Sequence, residues 1–343
     1  VKSANPVEAN SISAIVPARN EAANIVRMVE SLAAQPEIAE ILVVDDHSTD
    51  RTPQLLRELA ARIPQLRVLH APALPPGWTG KNHAVWHAAQ QATGDWLLFT
   101  DADTEHLPGA AARARADAAA HNAALVSYSP QQELPTWWER ALLPFVFARL
   151  DAHYPYRQAS QTYGNADVAR AAANGQFLMI RRAMYGEVGG HAAVAAEVLE
   201  DLRLAQRVRQ AGGHIHFAPG AGIVKVRMYR SFAALWEGWR KNLYALVART
   251  PGGLLRELLA IAPWPLLFLL LPQRQWHLLG LLLTLLQFRS HAFRLRRSSF
   301  AARLLIYSPL GLLLYTGVLL ASAAAHARGV VAWKGREYPV PRS

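Results

Sequence analysis

No cysteine occurs among the 343 residues, so disulfides, thiolate metal sites and cysteine nucleophiles are excluded together. Charge is also scarce: 18% of the chain is Asp, Glu, Lys or Arg, against 52% hydrophobic residues and a mean hydropathy of +0.05. A disordered chain has the opposite balance, and this one leans toward a protein that touches a bilayer. Acids are fewest where apolar residues are densest. Residues 1–253 hold 25 Lys+Arg and 23 Asp+Glu, residues 254–325 hold 7 and 1, and residues 326–343 hold 4 and 1. The net charge of +11 is therefore +2 in the first region and +9 beyond it. A nucleic-acid binder carries its excess on a basic face, whereas here it flanks apolar runs as in a membrane protein, so no nucleic-acid partner is expected. The length exceeds one ordinary core, and two units are expected.

Several catalytic signatures are missing. Residues 77–82 (GWTGKN) lack the spacing and the hydroxyl of a P-loop, which weakens ATPase and kinase readings. There is no G-x-S-x-G elbow for a serine hydrolase. His83 and His87 have i,i+4 spacing but neither the intervening acid nor a third ligand of a zinc helix, and they read as helix-face histidines. His214 and His216 alternate on a predicted strand and carry no clear signal.

What is present begins with a repeated grammar. Apolar runs start at Ile12 (ISAIVPA), Glu40 (EILVVDD), Arg67 (RVLHA) and Asp95 (DWLLFTDAD), spaced 28, 27 and 28 residues apart, with helical stretches over 22–35, 52–63 and 81–92 between them. This is βαβ spacing, and it predicts an α/β fold with a mostly parallel, Rossmann-like sheet. Such sheets bind ligands at the carboxyl ends of their strands. The polar residues fall there: Pro17, Arg19 and Glu21 after the first strand, Asp45, Asp46 and Asp50 after the second, Asp101 and Asp103 after the fourth.

Asp101 and Asp103 alternate along extended chain, so both carboxylates leave the same side and can converge on one hard cation. Asp45, Asp46 and Asp50 suit a base edge and ribose hydroxyls, although Asp50 also fits a cap for the helix at Thr52. Arg19 and Lys81 bring positive charge to the same edge, and residues 80–82 precede a helix whose first amides favour phosphate. Glu200 and Asp201 open another helical run between two glycine-rich stretches, 186–190 and 212–213. They read either as acids complementing a helix dipole or as loop-borne acids facing the site, with Asp201 the candidate general base.

Residues 133–150 and 227–247 mix Trp, Tyr, Phe and Arg and predict amphipathic helices at a membrane interface. Apolar runs of 14, 11 and 22 residues follow at 258–271, 278–288 and 304–325, and only the last meets the roughly 20-residue span requirement. Two or three membrane helices are expected. The five arginines of 289–303 should lie on the cytoplasmic side and keep the first 250 residues there; either the basic tail is then translocated or one short segment does not cross. Residues 1–11 lack the apolar stretch of a secretory signal, and an opening on Val1 suggests a segment upstream. The division predicted is a catalytic domain over 1–226, an interfacial region over 227–253, a membrane region over 254–325 and a basic tail over 326–343.

The order of these motifs resembles the family 2 glycosyltransferases of GT-A fold over roughly residues 12–250. Within that family, residues 74–82 (LPPGWTGKN) and 333–336 (WKGR) are similar to the membrane-bound lipid glycosyltransferases, particularly the hopanoid-associated group and its relatives acting on carotenoid acids and ceramide. The resemblance implies a nucleotide-diphosphate sugar donor of UDP-sugar type, a Mg²⁺ or Mn²⁺ ion, inversion at the anomeric carbon and a bilayer lipid acceptor. It assigns the nucleobase or ribose to Asp46, the metal and diphosphate to Asp103 with Asp101, and the acceptor proton to Asp201 beside Glu200. Processive members carry Q-x-x-R-W; here 235–242 read LWEGWRKN, so a polymerase is not expected and Arg240 or Lys241 approximates the diphosphate contact. Nucleotidyl transfer on the same fold is the second reading, against which the G-x-G-rich N-terminal phosphate loop is missing. A non-catalytic membrane scaffold is the third, against which every candidate acid is present.

Overall fold

Of the four apolar runs in the first hundred residues, those at Ile12, Glu40 and Asp95 become strands buried on both faces, as central strands of a helix-covered sheet must be, and the run at Arg67 becomes a partly exposed strand at the sheet edge. The computed structural model describes residues 11–160, 165–333 and 336–339. In it the chain divides into two units. One runs up to Glu133 and resumes over Tyr156–Arg227; the other joins Leu134–Pro155 to the chain from Met228 onward.

The first unit is built on β1 (Ile12–Ala18), β2 (Ile38–Asp45), β3 (Leu66–His70), β4 (Trp96–Phe99), β5 (Thr104–His106), β6 (Leu125–Gln132), β7 (Leu178–Arg181) and β8 (Ile215–Val226), in the order β3-β2-β1-β4-β7-β6-β8-β5. The four strands of the repeated grammar pair in parallel. Helices Ile25–Ala33, Thr52–Ala60 and Gly80–Ala89 make the crossovers, the first burying Ile25, Met28, Val29 and Leu32 at helical spacing. Beyond β4 the sheet departs from the expected parallel pattern: β7 is antiparallel to both β4 and β6, β8 is parallel to β6, and β5 is antiparallel to β8. Antiparallel neighbours need no helical crossover, so these strands leave no βαβ spacing in the sequence. Two reversals also restore direction, and β6 and β8 run the same way as β1–β4.

The second unit has its own core, in which Trp138, Leu142, Val146 and Phe147 meet Trp239, Leu243, Tyr315 and Leu319. Helix Trp137–His153 opens with a capping box, Thr136 Oγ1 accepting from the Glu139 amide while the Glu139 carboxylate accepts from the Thr136 amide at 2.9 Å. It is buried all round rather than along one stripe, so the interfacial helix expected at 133–150 is instead a central core helix. Helix Phe232–Val247 does keep one buried face, Leu235, Trp239, Leu243 and Val247. Inside this core the carboxylate of Glu257 accepts from Arg149 Nε and Nη2 at 2.8 Å each, from Tyr315 Oη at 2.6 Å, and pairs with His153 Nε2 at 2.9 Å.

The apolar C-terminal region is not a set of long spans. Helix Pro251–Ile261 ends before Pro263, where Ala262 takes the extended conformation that a following proline imposes, and Trp264–Leu270 is a 3₁₀ turn. Four of the five arginines expected in a connecting loop, Arg289, Arg294, Arg296 and Arg297, continue a single helix, Arg274–Arg297, whose first half is leucine-rich, and Arg303 lies in the 3₁₀ segment Ala302–Tyr307. Among the described residues one segment, Ala302–Ala327, is long and apolar enough to cross a membrane. Several crossings therefore have no support. Instead, Leu259, Leu270, Leu278, Leu282, Phe293 and Ile306 are exposed. Strands Val330–Trp333 and Arg336–Pro339 pair at the end of the chain; Lys334 and Gly335 of the tail motif lie outside the described residues.

Candidate active site

The loops after β1 and β2 are knitted to each other. Asn20 and His47 both adopt positive φ, 55° and 56°, which places single left-handed residues at the ends of the two strands. The Asn20 amide donates to Ser48 Oγ at 3.0 Å, and Asn20 Oδ1 accepts from the Thr49 amide at 2.8 Å. Arg19 Nη1 donates to the Asp46 carbonyl at 3.1 Å and lies 3.8 Å from its carboxylate, while His47 Nδ1 is 3.2 Å from Asp46 Oδ1. Glu21 accepts from Asn24 Nδ2 at 2.8 Å. Asp50 serves this loop architecture: it accepts from the Ala22 amide at 3.0 Å and the Thr52 amide at 2.9 Å. Burial opposes its charge, but the hydrogen bonds from Thr52 and Ala22 outweigh it and lower the pKa.

A cavity at the carboxyl ends of β1 and β4 is lined by Pro17, Lys81, Phe99, Asp101, Gly175, His191, Glu200 and Asp201, among others. Lys81 extends from the first turn of its helix, which Thr79 caps, and its ammonium is 2.8 Å from both Asp101 Oδ1 and Glu200 Oε1. Burial disfavours that charge; Asp101 and Glu200 overcome it and hold the pKa well above the ordinary lysine value. Sequence positions 81, 101 and 200–201, read separately, are thus one cluster.

Asp201 is held at both oxygens, Oδ2 accepting from the Gly175 amide and Oδ1 from the Leu202 amide, each at 2.8 Å. Burial first, and the neighbouring Glu200 second, raise its pKa to about 6. Such a carboxylate is ionised at neutral pH yet more basic than an exposed one, as a general base requires. Asp103 lies two residues beyond Asp101 but is not among the cavity-lining residues. Arg240 and Lys241 belong to the second unit, on helix Phe232–Val247.

Three residues take roles that the sequence did not assign to them. A Cβ on Gly175 would lie 3.2 Å from Lys81 Nζ and 3.5 Å from the carboxylates of Glu200 and Asp201, so a side chain there would press on the lysine ammonium. The Asn174–Gly175 pair was its one visible trace, as a turn dipeptide. Asn82 Nδ2 donates to the carbonyls of Val194, Ala195 and Glu197, tying the approach to Glu200 onto the lysine helix. His191 follows Gly190, where a φ of +52° and the 2.6 Å that would separate a Cβ from the Tyr185 ring exclude a side chain. Tyr185 Oη lies 2.8 Å from His191 Nδ1, and burial, then Lys81, lowers the imidazole pKa to about 3.

The model of glycosyl transferase family 2 matches residues 13–189, slightly more than half of the chain. The chain belongs to this family. A 4,4'-diaponeurosporenoate glycosyltransferase of Staphylococcus haemolyticus is 28% identical over 236 residues, 68% of this chain and 61% of that protein. Its namesake from Staphylococcus aureus strain MRSA252 is 24% identical over 352 aligned positions, covering 97% of this chain and 89% of that one. Among solved structures, a mannosyltransferase of Pyrobaculum calidifontis in complex with GDP-Man and Mn²⁺ superposes with a TM-score of 0.56 at 19% identity, over 94% of this chain and 88% of the other. The fold is accordingly that of a GT-A glycosyltransferase, with a mixed rather than mostly parallel sheet.

Proposed function

We propose that this family 2 enzyme transfers a sugar, with inversion, from a nucleotide-diphosphate donor to a lipid in the cytoplasmic membrane, with the first unit on the cytoplasmic side. The observation that carries the reading is the Lys81–Asp101–Glu200–Asp201 cluster at the sheet's carboxyl edge. Asp46 and Arg19 are assigned to the nucleoside. In one displacement the acceptor oxygen bonds to the anomeric carbon, the bond from that carbon to the diphosphate oxygen breaks, and the acceptor proton passes to Asp201. Nucleoside diphosphate leaves.

The donor set fits a divalent ion. Asp101 and Asp103 offer hard carboxylate oxygens, and Asp101 already faces a cation, the Lys81 ammonium at 2.8 Å. Mg²⁺ or Mn²⁺ held there would neutralise charge on the departing diphosphate. Asp103→Ala should raise the Mn²⁺ concentration needed for half-maximal turnover by at least ~10-fold, in line with the loss of one carboxylate ligand; an unchanged metal titration removes Asp103 from the metal site.

A bilayer partner is supported by the exposed leucines of the second unit and by Arg289, Arg294, Arg296 and Arg297 beside them on one helix. Relatives named for 4,4'-diaponeurosporenoate support a carotenoid-like acceptor; the hopanoid- and sphingolipid-like alternatives rest on the motif resemblance of residues 74–82 and 333–336. The deciding experiment incubates the purified protein in lipid vesicles with a panel of UDP- and GDP-sugars, followed by mass spectrometry of the extracted lipids. A glycosylated lipid with equimolar nucleoside diphosphate supports the reading; release of pyrophosphate would instead indicate nucleotidyl transfer. With a hydroxyl acceptor, kcat should rise with pH along a limb centred near 6, because Asp201 is protonated and inactive below that value. A flat profile from pH 5 to 8 contradicts the base assignment.

A further inference from the structure

We propose that Asp117, His121 and His216 form a site for a zinc-type divalent ion, separate from the acids of the active site. Asp117 and His121 stand one turn apart at the end of helix Ala110–Ala120, where His121 is the residue that caps the C-terminus, and His216 meets them from β8. One ligand atom from each lies within 4.8 Å of the other two. The two imidazole rings are stacked with centroids 4.0 Å apart, and His216 Nε2 is 3.6 Å from Asp117 Oδ2.

The surroundings prepare these groups as ligands. His121 Nδ1 is 2.9 Å from the Asp117 carbonyl oxygen, which can only accept, so Nδ1 carries the proton and Nε2 keeps its lone pair. The buried Tyr128 hydroxyl donates to Asp117 Oδ2 at 2.6 Å and orients the carboxylate. Arg113 Nε now donates to both Asp117 oxygens, at 3.0 and 2.9 Å. Its side chain is 63% exposed, and an i,i+4 surface pair of this kind is weak enough to open when a dication arrives. Two imidazoles and one carboxylate, completed by water, are a zinc donor set, whereas the oxygen-only acids of the cavity suit Mg²⁺ or Mn²⁺.

Strand direction separates the two sites. His216 is the second residue of β8, and Asp117 and His121 lie just before β6, so the cluster sits where these strands begin. Asp46 and Asp101 follow β2 and β4, where strands of the same direction end. An ion at the first edge ties the helix Ala110–Ala120 to β8 without reaching the donor.

The test uses the full-length protein stripped of metal by chelator, then titrated with Zn²⁺ and, in parallel, with Co²⁺ as a spectroscopic probe. One equivalent should bind with the visible absorption of four-coordinate Co²⁺. His121→Ala, at an exposed position, and His216→Gln should each weaken Zn²⁺ binding at least ~10-fold and abolish the Co²⁺ bands, with circular dichroism confirming the fold. Asp103→Ala should leave the bands intact. Equal Zn²⁺ affinity in wild type and both histidine variants, or bands that vanish only with Asp103→Ala, overturns the assignment.

Discussion

Asp201→Asn should lower transfer to a hydroxyl acceptor by about 10²–10⁴-fold, the range that a positioned general base contributes, with donor affinity retained. The amide keeps the shape of the carboxylate but cannot take a proton. Its oxygen can still accept one of the two amide hydrogen bonds, from Gly175 or Leu202, so the loop geometry should survive. A carboxylate acceptor has no proton to remove, and with it the same variant should lose less than about 10-fold, since acid–base assistance is then not needed. Comparing turnover on the two acceptor types therefore reports the proton step itself. Wild-type-like turnover on a hydroxyl acceptor would remove Asp201 from the mechanism.

Glu257→Ala should destabilise the second unit by about 3–5 kcal/mol, the cost of leaving a buried partner charge uncompensated. Arg149 loses both of its 2.8 Å bonds, and Tyr315 and His153 lose their common acceptor. Thermal or denaturant unfolding of the purified protein measures the change. Joint replacement of Arg149 and Glu257 by Met and Leu should recover much of the loss, because a buried ion pair replaced by apolar residues of similar volume is often close to neutral. If the single and double variants are equally destabilised, packing around these side chains outweighs the charge.

The N-terminal half of the sheet was legible because burial on both faces writes continuous apolar runs into β1, β2 and β4, and helical crossovers impose regular spacing. The helical stretch expected over 52–63 is the helix Thr52–Ala60, with Pro53 in its first turn. The same logic failed for residues 133–150. Their aromatic and basic composition suits an interfacial helix equally well, and only the neighbours Trp239, Leu243 and Tyr315 make it a core element. The run 258–271 misled for a simpler reason, since its hydropathy says nothing of the break that Pro263 imposes. At the candidate site the acids announced themselves by position after strands. Gly175, Asn82 and His191 did not, because a backbone amide, a side-chain tie and a ring behind a positive-φ glycine have no composition to read.

By itself, the sequence determined the βα grammar, the location of the acids at strand ends, and the partition of a +11 charge into a nearly neutral domain and a basic apolar region. These are properties of spacing and composition along one chain. Tertiary structure alone decided that Lys81 bridges Asp101 and Glu200, that Gly175 positions Asp201, and that Leu134–Pro155 leaves the first unit for the second. Each of those depends on distances of a few ångströms between residues 20 to more than 100 positions apart, and such contacts are set by the packing of the whole core rather than by any local preference.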